Sequence, residues 1–180
     1  MAELKIKYAE ERSKQELEKA LHPLVREWFF SRFPSFSLPQ LYGVMPIHER
    51  KNILISAPTG GTKTLTAFLG IINYLVGLSE KKELEDKIYA VYISPLKALS
   101  SDIYVNLQRP LEEINELAKK KGIELQEIRV GLRTGDTDLK ERAKMLKHSP
   151  HIFITTPESL AITLNSPKFC EKLKAMEFIV

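Results

Sequence analysis

The sequence of 180 residues is long enough for one domain with its own core and short for two. Its 43% hydrophobic and 28% charged residues are ordinary for a globular protein, and a net charge of +4 permits a polyanionic partner without requiring one. A single cysteine excludes an internal disulfide and no apolar stretch resembles a signal peptide or a membrane span, so we expect a soluble protein of the cytoplasm with no membrane partner.

The chain begins with a helical pattern and then changes to an alternation of apolar runs and helices. Pro23 is predicted to divide the first helical stretch in two, and a short helix is expected at 40–47. Four further helical stretches are predicted at 63–78, 96–122 (interrupted by Pro110), 136–149 and 158–167. The apolar runs that precede them, and one that follows, are NILISAP (52–58), IYAVYISP (88–95), IRVGLRTG (128–135), HIFITTP (151–157) and MEFIV (176–180).

Short strands that are apolar throughout and alternate with helices are typical of a parallel sheet buried on both faces. The sequence therefore predicts an α/β fold with a mostly parallel sheet covered by helices on both faces. The predicted organisation is an N-terminal helical segment, 1–33, followed by part of an α/β domain, 34–180.

The stretch SAPTGGTKT (56–64) leaves the first predicted strand and enters a helix, as a phosphate-binding loop does. Its backbone amides would hold the α- and β-phosphates of a nucleotide, Lys63 would neutralise the β/γ-phosphates, and the Thr64 hydroxyl would bind Mg²⁺. The alternative is a glycine-rich turn that begins an ordinary helix. The candidate nucleotide-binding residues are Ala57, Pro58, Thr59, Gly60, Gly61, Thr62, Lys63 and Thr64.

This loop departs from the pattern G-x-x-x-x-G-K-[ST] at two positions. Ala57 replaces the first glycine, where a small residue suffices. Thr62 replaces the glycine before the lysine, where a β-branched residue is the poorest choice if φ is positive.

Two later stretches, SPLKAL (94–99) and TPESL (156–160), share the design of a helix start. Ser94 and Thr156 are predicted N-caps with proline at the next position, and Thr155 and Glu158 have capping-box spacing. Free amides at such helix ends, with Lys97 nearby, would bind successive phosphates of a nucleic acid, although good helix starts need no ligand.

The stretch RTGDT (133–137) offers further contacts to a phosphate backbone, while Asp136 is expected to cap the helix that follows. Contacts of this kind do not read base sequence. The candidate nucleic-acid-binding residues are Ser94, Pro95, Leu96, Lys97, Arg133, Thr134, Gly135, Thr156, Pro157 and Glu158, with Thr137 as a further possibility.

Taken together, FSLPQ (36–40), SAPTGGTKT, YISPLKALSSDI (92–103), GLRTGDT (131–137) and ITTPESL (154–160) resemble, in order, motifs of the first RecA-like motor domain of superfamily 2 DExH-type ATP-dependent helicases, in particular the Lhr (large helicase-related) group. The resemblance implies a RecA-like fold, use of ATP and Mg²⁺, and sequence-independent binding of DNA or RNA. It also implies that Gln40 reads the adenine, with Phe33 or Phe36 able to stack on the base.

In that family an acidic Asp-Glu-x-His motif and a second motor domain with an arginine finger complete the ATPase. The run EFIV (177–180) resembles the beginning of the strand that carries the acidic motif, so the chain as given is expected to bind ATP without turning it over efficiently. Two alternatives are a nucleic-acid-binding module with a decayed nucleotide site and, with less support, a phosphate-loop nucleotide kinase.

Overall fold

The computed structural model describes residues 7–58, 60 and 62–180. Within that part of the chain there are eight helices and four strands. The contacts divide the chain into two compact units, one up to Asn73 and one from Tyr74 to Val180, with the division inside a helix. The domain boundary predicted at residue 33 stays a prediction.

The first unit is built from helices whose ends follow local sequence signals. Ser13 caps the first helix in a capping box, in which its amide donates to Glu16 Oε2 (2.8 Å). Pro23 begins the second helix, so the predicted division at this residue is confirmed. The helices are α1 (Lys14–Ala20), α2 (Pro23–Arg32), α3 (Leu38–His48) and the first part of α4 (Lys63–Glu80).

The helix α3 packs closely against the beginning of α4. A Cβ added at Gly43 would lie 2.7 Å from Thr66 Cγ2 and 2.9 Å from Ile55 Cδ1. A Cβ added at Gly70 would lie 2.6 Å from Ile47 Cγ2. The glycines therefore permit a helix contact that larger residues would prevent.

The second unit contains a sheet of four parallel strands in the order β2-β3-β1-β4. In register, Ala90, Ile152 and Val130 lie side by side, as do Ile93, Thr155 and Arg133. The parallel α/β architecture predicted from the sequence is confirmed. The strands are β1 (Ala90–Ile93), β2 (Val130–Arg133), β3 (Ile152–Thr155) and β4 (Phe178–Ile179).

Helices of the second unit cover both faces of this sheet. The connection from β1 to β2 runs in one direction across the sheet, and the connections from β2 to β3 and from β3 to β4 run back. Right-handed crossovers then place their helices on opposite faces. Met145 and Phe169 lie in one buried cluster with Val91 and Phe153, as expected for a shared face. The connecting helices are α5 (Lys97–Lys120) in the first crossover, and α6 (Leu139–Lys147), α7 (Pro157–Leu164) and α8 (Pro167–Leu173) in the others.

Two of the predicted elements are wrong. Residues 52–58, all described, form no strand, and Leu54 is 95% exposed. A strand requires a neighbour that completes its backbone hydrogen bonds, and among the described residues the four strands of the sheet pair only with one another. The predicted interruption at Pro110 is also wrong, because α5 continues through it. Burial of Leu107, Ile114 and Ala118 along this helix outweighs the cost of one proline.

Candidate functional site

Lys63 is the first residue of α4, and its side chain folds back over the loop that precedes it. Its Nζ donates to the carbonyl oxygens of Ala57 (2.5 Å) and Pro58 (2.8 Å). Gly60 is exposed and has a φ of +81°, which suits glycine. Two consecutive carbonyl groups of the loop therefore bind the ammonium group. Two of the predicted phosphate-binding residues, Thr59 and Gly61, lie outside the described residues.

Thr62 adopts the left-handed conformation that makes its presence in this loop unusual, with a φ of +57°. This backbone region is costly for a β-branched residue, by about 1–3 kcal/mol. The Thr62 carbonyl accepts hydrogen bonds from the amide (2.8 Å) and the hydroxyl (2.9 Å) of Thr66 in α4. The Thr62 hydroxyl lies 2.5 Å from the hydroxyl of Ser37.

Gln40, the predicted adenine reader, is 1% exposed near the N-terminus of α3. Its Oε1 accepts a hydrogen bond from the amide of Ser37 (2.8 Å), as the N3 residue of a capping box does. Phe36 is buried and stacks on Phe29 (ring centroids 4.8 Å apart), whereas Phe33 is half-buried. In this arrangement Gln40 supports the start of α3, and its role in reading adenine stays a prediction.

Thr64 lies exposed in the first turn of α4, next to Lys63. A hydroxyl in this position fits the neutral oxygen ligand that Mg²⁺ takes beside substrate phosphates. No group of three or more His, Cys, Asp or Glu residues within the described part of the chain could hold a metal ion. Thr64 is thus a candidate for one Mg²⁺ ligand, and substrate phosphates and water would supply the other ligands.

In the second unit, three of the predicted motifs meet at the carboxyl edge of the sheet. Ser94, Thr134 and Thr156 each follow the last residue of a strand, and those last residues are in register. The Ser94 amide donates to the carbonyl of Thr155 (2.9 Å), which continues the ladder by one residue. The three motifs, which are far apart in the sequence, therefore lie side by side along one edge of the sheet.

The start of α5 differs from the prediction. Ser94 is buried and donates its hydroxyl to the Leu96 carbonyl (3.1 Å), so it does not cap the helix. The helix begins at Lys97 with Leu96 as N-cap and without a side-chain cap, while Pro95 lies exposed in the turn before it. The first amides of α5 are therefore not satisfied by the side chain of the N-cap residue.

The β2–α6 loop places its charged residues differently from the prediction. Arg133 is buried, with its guanidinium carbon 5.4 Å from the ring centroid of Phe169. Burial, with Arg142 nearby, holds the pKa of this guanidinium below its usual value. Asp138, not Asp136, caps α6 by accepting from the Glu141 amide (2.8 Å), since Asp138 alone has the spacing of an N-cap.

Hydrogen bonds fix the remainder of this loop. The Thr134 amide donates to the hydroxyl of Thr137 (2.8 Å), and the carbonyl of Gly135 accepts from Arg142 Nη2 (3.0 Å). Asp136 forms an ion pair with Lys97 of α5. The pair joins two of the predicted nucleic-acid-binding motifs across the sheet edge.

The start of α7 matches the prediction in part. Thr156 is the N-cap and accepts from the Ser159 amide (3.4 Å), with Pro157 at N1. The capping box predicted for Thr155 and Glu158 does not form, because the helix begins one residue later than that spacing requires. The Thr155 hydroxyl donates to the Thr156 carbonyl instead (3.4 Å), and Pro157 and Glu158 are exposed in the first turn.

Three contacts at these sites were missed by the sequence analysis. The spacing of Ser37 and Gln40 indicates a capping box at the start of α3, but it does not indicate the contact of Ser37 with Thr62. The ion pair of Lys97 with Asp136 and the contact of Arg133 with Phe169 had no signal in the sequence, because residues so far apart in sequence meet only in the folded sheet.

A comparison with protein families assigns this fold and these motifs to a family. The family model described as DEAD/DEAH box helicase matches residues 38–180. The chain belongs to the DEAD/DEAH box helicase family. The RecA-like fold expected from the motifs is confirmed.

Relatives place this DEAD/DEAH box helicase domain near the Lhr proteins, as the motifs predicted. The ATP-dependent helicase Lhr-Core protein 2 of Thermococcus barophilus is 52% identical over 176 residues, 97% of this chain and 20% of that protein. The ATP-dependent helicase Lhr-Core of Methanocaldococcus jannaschii is 52% identical over 170 residues, 94% of this chain and 20% of that protein.

A solved structure of an Lhr protein has the same fold. The structure of the Mycobacterium smegmatis helicase Lhr bound to ssDNA and AMP-PNP has a TM-score of 0.80 to this chain at 37% identity, over 88% of this chain and 20% of that chain. The chain spans about one fifth of the length of these relatives. Across the described residues, no helix is both long and apolar enough to cross a membrane.

Proposed function

We propose that the chain is the nucleotide-binding part of an ATP-dependent nucleic-acid helicase. ATP binds at the loop 56–64, and nucleic acid binds at the carboxyl edge of the sheet in the second unit. The parent protein couples ATP hydrolysis to strand separation with a second motor domain. This chain alone binds ATP and turns it over poorly.

The position of Lys63 carries the nucleotide half of the proposal. Its Nζ already lies within hydrogen-bond distance of two loop carbonyls, so the loop is shaped around a positive group at a helix start. Phosphate oxygens of ATP replace those carbonyls as partners and gain a charge-assisted bond. Thr64 would supply one ligand to Mg²⁺, and the ion would neutralise part of the charge on the phosphates.

The family match supports this proposal over a nucleotide kinase. A nucleic-acid-binding module with a decayed nucleotide site is the second candidate, and one observation favours it. Thr62 has a positive φ, which is where a glycine is most needed.

Titration of the chain with a fluorescent ATP analogue (mant-ATP) tests the nucleotide half. We expect saturable binding that Lys63→Ala weakens about tenfold or more, because a charge-assisted bond is lost. Lys19→Ala, which removes an exposed lysine of α1, is the matched control and should leave binding unchanged. Binding equal in Lys63→Ala and in the unchanged chain would exclude the loop as the site.

The sheet edge carries the nucleic-acid half. The amides at the start of α5 have no side-chain cap, Lys97 is the first residue of that helix, and the helix start of α7 lies on the same edge. Helix N-termini and a lysine bind phosphate without reading bases. The candidate contacts on this edge are Ser94, Pro95, Leu96, Lys97, Thr134, Gly135, Thr156, Pro157 and Glu158, whereas Arg133 supports them from the interior.

Fluorescence anisotropy with two labelled single strands of unrelated sequence tests this half. We expect similar affinity for both strands and a loss of affinity between 50 and 200 mM salt, because phosphate contacts release counterions (~0.7 per contact in single strands). Lys97→Ala should lower affinity for both strands and reduce the salt slope, whereas Lys120→Ala at the far end of α5 should change neither. A strong preference for one sequence would contradict the proposal.

A further inference from the structure

The contact between Ser37 and Thr62 joins two segments that the motifs treat as separate. The two hydroxyl oxygens are 2.5 Å apart, and 25 positions separate the residues in sequence. Ser37 is the N-cap residue of α3, and Thr62 is the residue before Lys63. The contact therefore ties the side chain of Thr62 to the start of α3.

The helix that carries Ser37 is held firmly beside the loop. At Gly43, α3 approaches Thr66 and Ile55 so closely that a Cβ would overlap both side chains. Gln40 is buried and bonds the Ser37 amide (2.8 Å), which fixes the first turn. Ser37 is thus a rigidly held partner, and a hydrogen bond to it directs the Thr62 side chain at little further entropic cost.

Thr62 needs such a partner because of its backbone conformation. With a φ of +57°, a β-branched side chain is crowded by its own backbone in each of its rotamers. A glycine at this position would carry no side chain to place. The hydrogen bond to Ser37 directs the Thr62 hydroxyl toward α3. The Thr62 carbonyl still accepts from Thr66, and the Lys63 ammonium still donates to the loop carbonyls.

We propose that Ser37 is a positioning residue for the phosphate loop: by binding the Thr62 hydroxyl it makes a threonine acceptable where the motif has glycine, and so preserves nucleotide binding. The inference rests on the proposed function of this loop. Ser37 itself does not touch the nucleotide. Its effect on nucleotide affinity passes through Thr62 and is absent when position 62 is glycine.

A double-mutant cycle tests this dependence. Binding of mant-ATP is measured for the unchanged chain, Ser37→Ala, Thr62→Gly and the double variant, with thermal unfolding as a check of folding. We expect Ser37→Ala to weaken binding about fivefold when Thr62 is present, as for loss of one hydrogen bond of about 1 kcal/mol, and less than twofold in the Thr62→Gly background. Ser37→Thr keeps a hydroxyl and should restore binding.

The cycle also corrects for the structural role of Ser37. Weakening of the α3 start affects both backgrounds equally, so a purely structural role predicts equal losses with Thr62 present and in the Thr62→Gly background. Equal losses, no loss, or tighter binding after Ser37→Ala would overturn the inference. Binding seen only in the glycine variants would also overturn it and leave the loop as the nucleotide site. No binding in any of the four proteins would overturn the proposed function itself.

Discussion

Asp136 in the β2–α6 loop forms an ion pair with Lys97, the first residue of α5. The Asp136 carboxylate is bound to the Lys97 ammonium group. In the proposed function, that ammonium group binds a phosphate of the nucleic acid. Both side chains are more than half exposed, so water and salt weaken their attraction and a phosphate can replace the carboxylate. If Lys97 binds a nucleic-acid phosphate as proposed, Asp136 is the competitor of that phosphate for the lysine.

Removing that competitor should strengthen nucleic-acid binding. We expect Asp136→Asn to raise the affinity for a labelled single strand about threefold at 50 mM salt, with a smaller gain at 200 mM, because an exposed ion pair contributes little. Asp102→Asn, which removes an exposed carboxylate elsewhere on α5, controls for the change in net charge. An equal gain in both variants would assign the effect to net charge alone.

Two glycine positions should respond to alanine in opposite directions. Gly43→Ala should lower the free energy of unfolding by about 1–3 kcal/mol, because its Cβ would overlap Thr66 and Ile55. Gly77→Ala should raise it by about 0.5–1 kcal/mol, because Gly77 lies inside α4 and a Cβ there meets nothing within 4 Å. Urea unfolding measures both, and a stabilised Gly43→Ala would contradict the close contact of α3 with α4.

Pro110 should be dispensable for α5. The helix runs through it, so the proline removes one backbone hydrogen bond and strains the preceding turn. We expect Pro110→Ala to raise the midpoint of thermal unfolding and to leave the affinity for single strands unchanged. Loss of helical circular dichroism in this variant would show that the proline shapes the helix in a way that packing requires.

His151 should make stability depend on pH. Burial, together with Arg129, lowers its pKa from the usual 6.5 to about 4, although Asp86 and the backbone of Glu85 act in the opposite direction. Its Nδ1 accepts from the Arg129 amide (3.1 Å), which requires the neutral ring. Between pH 6.5 and 4 the unfolded chain takes up a proton that the folded chain does not, so the free energy of unfolding falls as pH decreases through this window, by at most about 3 kcal/mol.

Urea unfolding at pH 7 and pH 4.5 measures this dependence. His151→Gln keeps an acceptor for the Arg129 amide and removes the titration, so its unfolding free energy should change less between the two pH values. His148→Gln, at an exposed position, should behave like the unchanged chain. A pH dependence that persists in His151→Gln would assign it to other groups.

Much of the fold could be predicted from the sequence because its signals are local. Apolar runs such as those at β1 and β3, a proline at Pro23 and a glycine-rich turn before Lys63 each act within a few residues. The parallel sheet then followed from their alternation with helices. The sequence analysis also identified position 62 as the one where a positive φ would matter, and Thr62 does have a positive φ.

The remainder depends on contacts between distant residues. The run 52–58 has the composition of a strand, but only a neighbouring strand would make it one. Ser94 is buried against Leu96 instead of capping a helix, and Asp136 pairs with Lys97 instead of capping α6. Propensity describes what each residue favours alone, and in these cases a tertiary partner decided the outcome.

The irregular run 52–58 has a consequence for handling the protein. The run carries no charge, and its Leu54 is exposed. Lys51 and Pro58 flank its aliphatic part, and a lysine and a proline both oppose cross-β assembly. At high concentration such a segment is the natural place for copies to add strands to one another and form insoluble aggregates. Replacing Leu54 with lysine should therefore extend the storage life of the purified protein.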